Sequence, residues 1–177
     1  MPITDPPVDA TELRNVVDEM HIRRLHARYA DAVNRAAWHE FTELFLPDVE
    51  LTVAKRSAPP DQVVGPVAIG NLIGGYIARY DFLIQVILNA RIQLRYHDDV
   101  NRAFARLYIA EFRQWNDTGR RIESSGVYHD EYRRLDGRWW FARRRYDRLY
   151  ATASAELEVH PFPSDLDIDD PFSRSGA

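Results

Sequence analysis

Cysteine is absent from the 177 residues, which excludes disulfides, a thiolate nucleophile and a cysteine-ligated zinc site. Lysine is nearly absent too: Lys55 stands alone and every other basic residue is arginine. That bias suits phosphate or carboxylate recognition, but a GC-rich coding sequence is the blander and preferred cause. Long apolar runs are missing, so no segment is expected to cross a bilayer and no membrane partner is expected. The opening MPITDPPVDATEL lacks a charged start followed by an apolar stretch, and a cytoplasmic location is the expectation. Positive charge is not in excess: 27 acidic against 23 basic residues give a net −4, which disfavours a nucleic-acid partner. The six histidines (21, 26, 39, 97, 129, 160) show no His-x-x-x-His spacing, so no metal is expected. Gly65, Gly70, Gly74 and Gly75 have the wrong spacing for a nucleotide cradle, and no cofactor is expected.

The length suits one domain with a full core. Thr11 opens a helix with Leu13, Val16, Val17 and Met20 on its apolar face, and the phase then changes to Ile22, Leu25, Tyr29, Ala32, Val33 and Ala36. The change predicts two helices, with Asp18 capping the second, which runs to about Asn34. WHEFTELFL, residues 38 to 46, predicts a third helix stopped by Pro47; residues 49 to 54 predict a strand, and KRSAPPDQ a loop. Pro66 suits a first helical position, and Ile69, Leu72, Ile73 and Ile77 line the helix that follows. Strands are predicted over 83 to 96, 102 to 115, 120 to 135 and 138 to 150, separated by HDDVN, NDTG and LDG turns. Helices first and strands last argue for an α+β fold. The segment after about residue 152, rich in proline and acids, reads as a disordered tail or an arm.

Polar residues out of pattern mark a candidate site. Ala103, Ala105, Leu107 and Ile109 share one face of a strand, and Glu111 is next on that face. An inward carboxylate is one way to make a general acid or base; the alternative is a strand end where Glu111 is solvated or paired with an arginine. On the next strand Gly126, Tyr128, Asp130 and Tyr132 share a face. Gly126 leaves room in front of the sheet and Tyr128 offers a phenol into it, while Tyr132 reads as core and Asp130 as a tether. Trp139 and Phe141 are core by alternation, but Tyr146 and Arg148 have the opposite parity, so either a bulge intervenes or they point outward. The run Arg143, Arg144, Arg145 reads as a solvated or subunit-facing edge.

Two stretches carry a family resemblance. RYADAVNRAAWHEFTELFLPDVEL resembles the opening of SnoaL-like proteins of the nuclear-transport-factor-2-like superfamily, and GVYHDEYRRLDGRWWFARRRYDRLY resembles the closing hairpin of the scytalone dehydratase, hexachlorocyclohexane dehydrochlorinase and bile-acid 7α-dehydratase families. The resemblance implies a cone: a strongly bent antiparallel sheet wrapped around three to four N-terminal helices, enclosing a deep pocket. It implies a single SnoaL-like domain over residues 1 to 152, with 153 to 177 as the tail or arm.

In those families a helix-end aspartate and a histidine on the first long strand act together in elimination. Here the two positions hold Asn34 and Gln85, amides that take up no proton at neutral pH. The resemblance therefore implies three readings. The first is a cofactor-independent lyase or isomerase, dehydratase-like, that moves a proton on a small hydrophobic alicyclic or aromatic molecule. Glu111 would be its base, Tyr29 or Tyr128 its acid, Arg148 the stabiliser of developing negative charge, and Asn34, Gln85, Asp130 and Trp38 its substrate contacts. The second is a non-catalytic small-molecule-binding protein that kept the pocket and lost the dyad. The third is an adaptor similar to the small subunit of ring-hydroxylating oxygenases. Related dehydratases associate through their sheets, so a homo-oligomer is expected, trimer first and dimer second, through Phe104, Tyr108, Phe112 and the arginines of the last strand.

Overall fold

In the computed structural model, residues 9–95, 98–152 and 158–159 are described. Most of the tail, 153 to 177, lies outside the described residues.

Helix α1, Ala10–Asn34, is continuous. The two-helix expectation fails at Asp18, which caps nothing: it faces inward and is buried, accepting hydrogen bonds from Arg134 Nη1 at 2.9 and 3.0 Å and from Trp139 Nε1 at 2.9 Å. A carboxylate satisfied by tertiary partners does not interrupt a helix. The change of apolar phase has another cause. Leu13, Val16, Val17 and Met20 are exposed, while Ile22, Leu25, Tyr29, Ala32 and Val33 enter the core. The helix ends in a reverse turn: Ala36 takes a left-handed φ of 53° and Ala37 N donates to Ala32 O at 2.8 Å.

Residues 38 to 46 form not an α-helix but a 3-10 helix, Trp38–Glu43, followed directly by β1, Phe45–Val53. Pro47 therefore lies inside a strand. It is tolerated because the pairing of β1 with its neighbour is irregular between Phe45 and Glu50, so no ladder bond from residue 47 is lost. Strand β2, Asp61–Val64, takes the end of the expected loop and pairs antiparallel with β1. Gly65 then turns the chain with φ 90°, and Pro66 opens helix α2, Pro66–Ile77, as expected.

Four long strands follow: β3, Tyr80–Leu94; β4, Arg102–Trp115; β5, Arg121–Leu135; and β6, Arg138–Ala151. They form an antiparallel meander. The sheet order is β2-β1-β6-β5-β4-β3, with the two-residue β7, Glu158–Val159, added to β6. The expected all-antiparallel sheet needs correction, because β1 runs parallel to β6 and the sheet is mixed. A strand that returns to the sheet only after a long excursion is free to meet its partner in either sense. Helix α1 packs against β3 and β6, with β4 and β5 between them, so the open sheet curls about it. Tyr29 joins the inner core, stacked on Phe41 at 5.5 Å and in edge contact with Phe45 and Phe141 at 5.9 Å.

Candidate functional site

Strand register assembles the site. Gln85 on β3, Glu111 on β4 and Ser124 on β5 are consecutive cross-strand partners and form one polar rung on the inner face. Two further rungs lie beside it, Tyr128 opposite Tyr146 and Asp130 opposite Arg144. The parity of β6 is resolved by a bulge: Tyr132 pairs with Phe141 and Glu131 with Arg143, leaving Ala142 as the extra residue. After it Arg144, Tyr146 and Arg148 turn inward. Gly126 is required here, because a Cβ at that position would fall 2.3 Å from Tyr146 Cε2.

These residues face a cavity of about 620 Å³. Its floor holds the buried Tyr29, Gln85 and Tyr128 with the half-buried Tyr146, Glu111 and Arg113, its apolar walls include Leu51, Ile73 and Leu83, and Lys55, Arg56, Arg79 and Arg148 are its exposed residues. Glu111 is held from three sides. Gln85 Nε2 donates to Oε1 at 3.2 Å, Ser124 Oγ donates to Oε2 at 3.1 Å, and Arg113 Nη2 lies 3.9 Å from Oε2. Arg113 Nη2 in turn donates to Ser124 Oγ at 2.6 Å. Each of these neighbours is a donor. Gln85 Nε2 also lies 3.4 Å from Tyr128 OH, which is 3.3 Å from Tyr29 OH. Burial pushes the Tyr128 and Tyr146 phenols well above their ordinary value, and raises Tyr29 against the opposing charge of Arg144. All three are neutral donors at physiological pH.

Behind the phenols lies a second cluster. Arg144 and Asp130 are fully buried and joined by two hydrogen bonds, Nε to Oδ1 at 2.7 Å and Nη2 to Oδ2 at 2.8 Å. The guanidinium carbon sits 4.0 Å from the Tyr29 ring centre, 4.1 Å from Tyr128 and 4.3 Å from Phe141. Burial works against the Arg144 charge, yet Asp130 and the phenols leave its pKa above the ordinary value. Tyr132 OH donates to Asp130 Oδ2 at 2.8 Å and lies 2.7 Å from His26 Nε2. Burial holds His26 neutral, its pKa down to about 4 despite the attraction of Asp130.

Of the expected site residues, Glu111, Tyr29, Tyr128, Gln85 and Arg148 line the cavity. Three do not. Asn34 lies at the exposed end of α1 and uses its whole amide on the β3 backbone, Nδ2 donating to Gln85 O at 3.0 Å and Oδ1 accepting from Gln85 N at 2.7 Å. It does meet Gln85, but through main chain rather than side chain. Asp130 is sealed under Tyr128 by Arg144. Trp38 packs into a slot left by Gly70 and Gly74 of α2, where an added Cβ would come within 3.0 and 3.3 Å of it. Arg113 and Tyr146 were missed. The alternation that singled out Glu111 reaches Arg113 two residues later, and Tyr146 needed the bulge to be placed. Arg144 is core rather than the expected edge; a run of three arginines hides which one turns inward.

A long helix curled into an open mixed sheet, with a polar-floored cavity between them, is the architecture of nuclear-transport-factor-2-like proteins. The chain belongs to the SnoaL-like domain family, whose model matches residues 14–145. Similar solved structures include the hexachlorocyclohexane dehydrochlorinase LinA-type3 from Novosphingobium barchaimii LL02, at 19% identity and TM-score 0.71 over 85% of this chain and 99% of that one. A protein provisionally assigned as a scytalone dehydratase, from Novosphingobium aromaticivorans, shares 19% identity with TM-score 0.70 over 84% of this chain and 95% of that one. A nuclear-transport-factor-2-like protein with a cystatin-like fold, also from N. aromaticivorans, shares 23% identity with TM-score 0.65 over 85% and 95%. At these identities the likeness is one of fold. No curated protein matches the chain. Among the described residues no helix is long and apolar enough to cross a membrane.

Proposed function

We propose that the chain is a cofactor-independent lyase or isomerase, dehydratase-like, that moves a proton on a small hydrophobic alicyclic or aromatic substrate. One observation carries this reading: a single amide, Gln85, spans the Glu111 carboxylate and the Tyr128 phenol on the cavity floor, 3.2 and 3.4 Å away. In this mechanism Glu111 is the base that takes a proton from carbon. Tyr128, backed by Tyr29, donates to the oxygen that gains charge or leaves. Tyr146 closes the floor. Arg148, exposed on the cavity lining, orients rather than protonates.

A second reading is a binding protein without turnover, which the amides at positions 34 and 85 favour. Solvent-deuterium exchange separates the two. With 1-tetralone in D2O, whose only enolisable position is C2, the enzyme accelerates loss of the C2 proton signal over buffer; a binder leaves the rate at background.

Self-association belongs to the same proposal, trimer first and dimer second, but through a different surface. Phe104 is buried, 2% exposed, which removes it from the expected patch. Phe82, Ile84, Val86 and Leu88 instead lie exposed along edge strand β3, with exposed Phe112 opposite Ile84 on β4. Sedimentation at micromolar concentration checks it: an Ile84→Lys, Val86→Lys double variant sediments as monomer where the parent does not.

A further inference from the structure

The chain carries a net −4, yet the cavity lining runs the other way: Lys55, Arg56, Arg79, Arg113 and Arg148 against Glu111 and Asp147. Much of this charge is already matched. Arg113 serves Glu111 and Ser124, Asp147 is held by Arg145 at 3.0 and 3.1 Å, and Lys55 pairs with Asp61. Arg56 and Arg79 are different: both are exposed, and among the described residues neither forms an ion pair. Arg79 is nonetheless held in place, its Nε donating to Tyr76 O at 3.1 Å and its guanidinium lying 5.6 Å from the Trp115 ring centre. Arg56 follows Lys55 in a loop that Asp61 pins from two sides, through Lys55 and through the Tyr76 hydroxyl. A buried floor and exposed cations put the Arg56 and Arg79 guanidinium groups at the mouth.

We infer that the ligand is an amphipathic monoanion, with an apolar ring body inside the cavity and a carboxylate at the mouth held by Arg56 and Arg79. This rests on the reading above that the cavity takes a small hydrophobic molecule. Guanidinium groups match a carboxylate's two oxygens, and at an exposed mouth the carboxylate keeps part of its hydration. The floor sets the direction of entry, because a second carboxylate pushed against Glu111 would be desolvated beside a like charge. The reacting carbon is then at the end of the ring system remote from the acid.

The test compares two probes of nearly equal shape, 2-naphthoate and 2-naphthol, by titration calorimetry on the full chain. Naphthoate binds more tightly by roughly five- to tenfold at low salt, the scale of two exposed charge contacts. The preference shrinks as salt is raised to about 0.5 M and disappears in the Arg56→Gln, Arg79→Gln double variant, while naphthol affinity stays the same. Equal binding of the two probes, or a preference that survives the double variant, overturns the anion site and leaves the apolar cavity standing. Binding of neither probe overturns both.

Discussion

Two carboxylates face inward from neighbouring strands of this sheet, and they are treated in opposite ways. Asp130 is fully buried, doubly bonded to Arg144 and capped by aromatic rings. Glu111 keeps 15% of its side chain exposed, faces the cavity, and is met by an amide, a hydroxyl and an arginine at 3.9 Å. The first arrangement has no room for a reacting molecule; the second leaves one side open. A charged residue on a core face is therefore not enough to mark chemistry, and what decides is whether its remaining side is closed by protein or left for a ligand.

The largest expected effect falls on the sealed cluster. Asp130→Asn or Arg144→Met leaves its partner buried without a counter-charge and should cost about 3–5 kcal/mol, read as a shifted midpoint in denaturant unfolding. Glu111→Gln should cost less than about 1 kcal/mol in the same experiment, because Glu111 keeps 15% of its side chain exposed to the open cavity and a neutral amide still accepts there. Comparable losses at the two positions would break the distinction.

Next is the pH dependence carried by His26. Unfolded, it gains a proton near its ordinary value of 6.5; folded, it stays neutral down to about 4. Between those values the unfolded chain holds more protons, so stability falls as pH drops through that window, by on the order of 3 kcal/mol from this group. His26→Gln removes that component, and unfolding curves at both ends of the window measure it.

Smaller again is Asn34→Asp. A carboxylate loses the bond donated to Gln85 O and sets two acceptors against each other, for a loss of about 1–3 kcal/mol. This weighs against restoring a family-type dyad by exchanging Asn34 and Gln85 alone. The least effect is a gain: Ala36→Gly relieves the left-handed φ of 53° and should add roughly 0.5–1 kcal/mol.

Much of this architecture was legible in the residues. The meander β3 to β6 follows from alternation and turn residues, and α2 from Pro66. Glu111 stood out because four apolar residues precede it on one face. What stayed hidden depends on contacts between distant residues. Asp18 reads as a cap until Arg134 and Trp139 arrive from the last hairpin, and the parallel pairing of β1 with β6 has no local signature. A one-residue bulge at Ala142 decides that Arg144 is core and that Tyr146 and Arg148 face the cavity. Asn34 reaches Gln85 through main chain and outside the cavity, a contact that only the fold reveals.

The central claim is that Glu111, not Asp130, does the chemistry. The most direct measurement is the rate of deuterium exchange at C2 of 1-tetralone in D2O for the parent chain and for Glu111→Gln, both verified folded by their unfolding midpoints. The account predicts acceleration by the parent and a loss on the order of a hundredfold in the variant, the scale of a removed general base. An unchanged exchange rate in Glu111→Gln would contradict it.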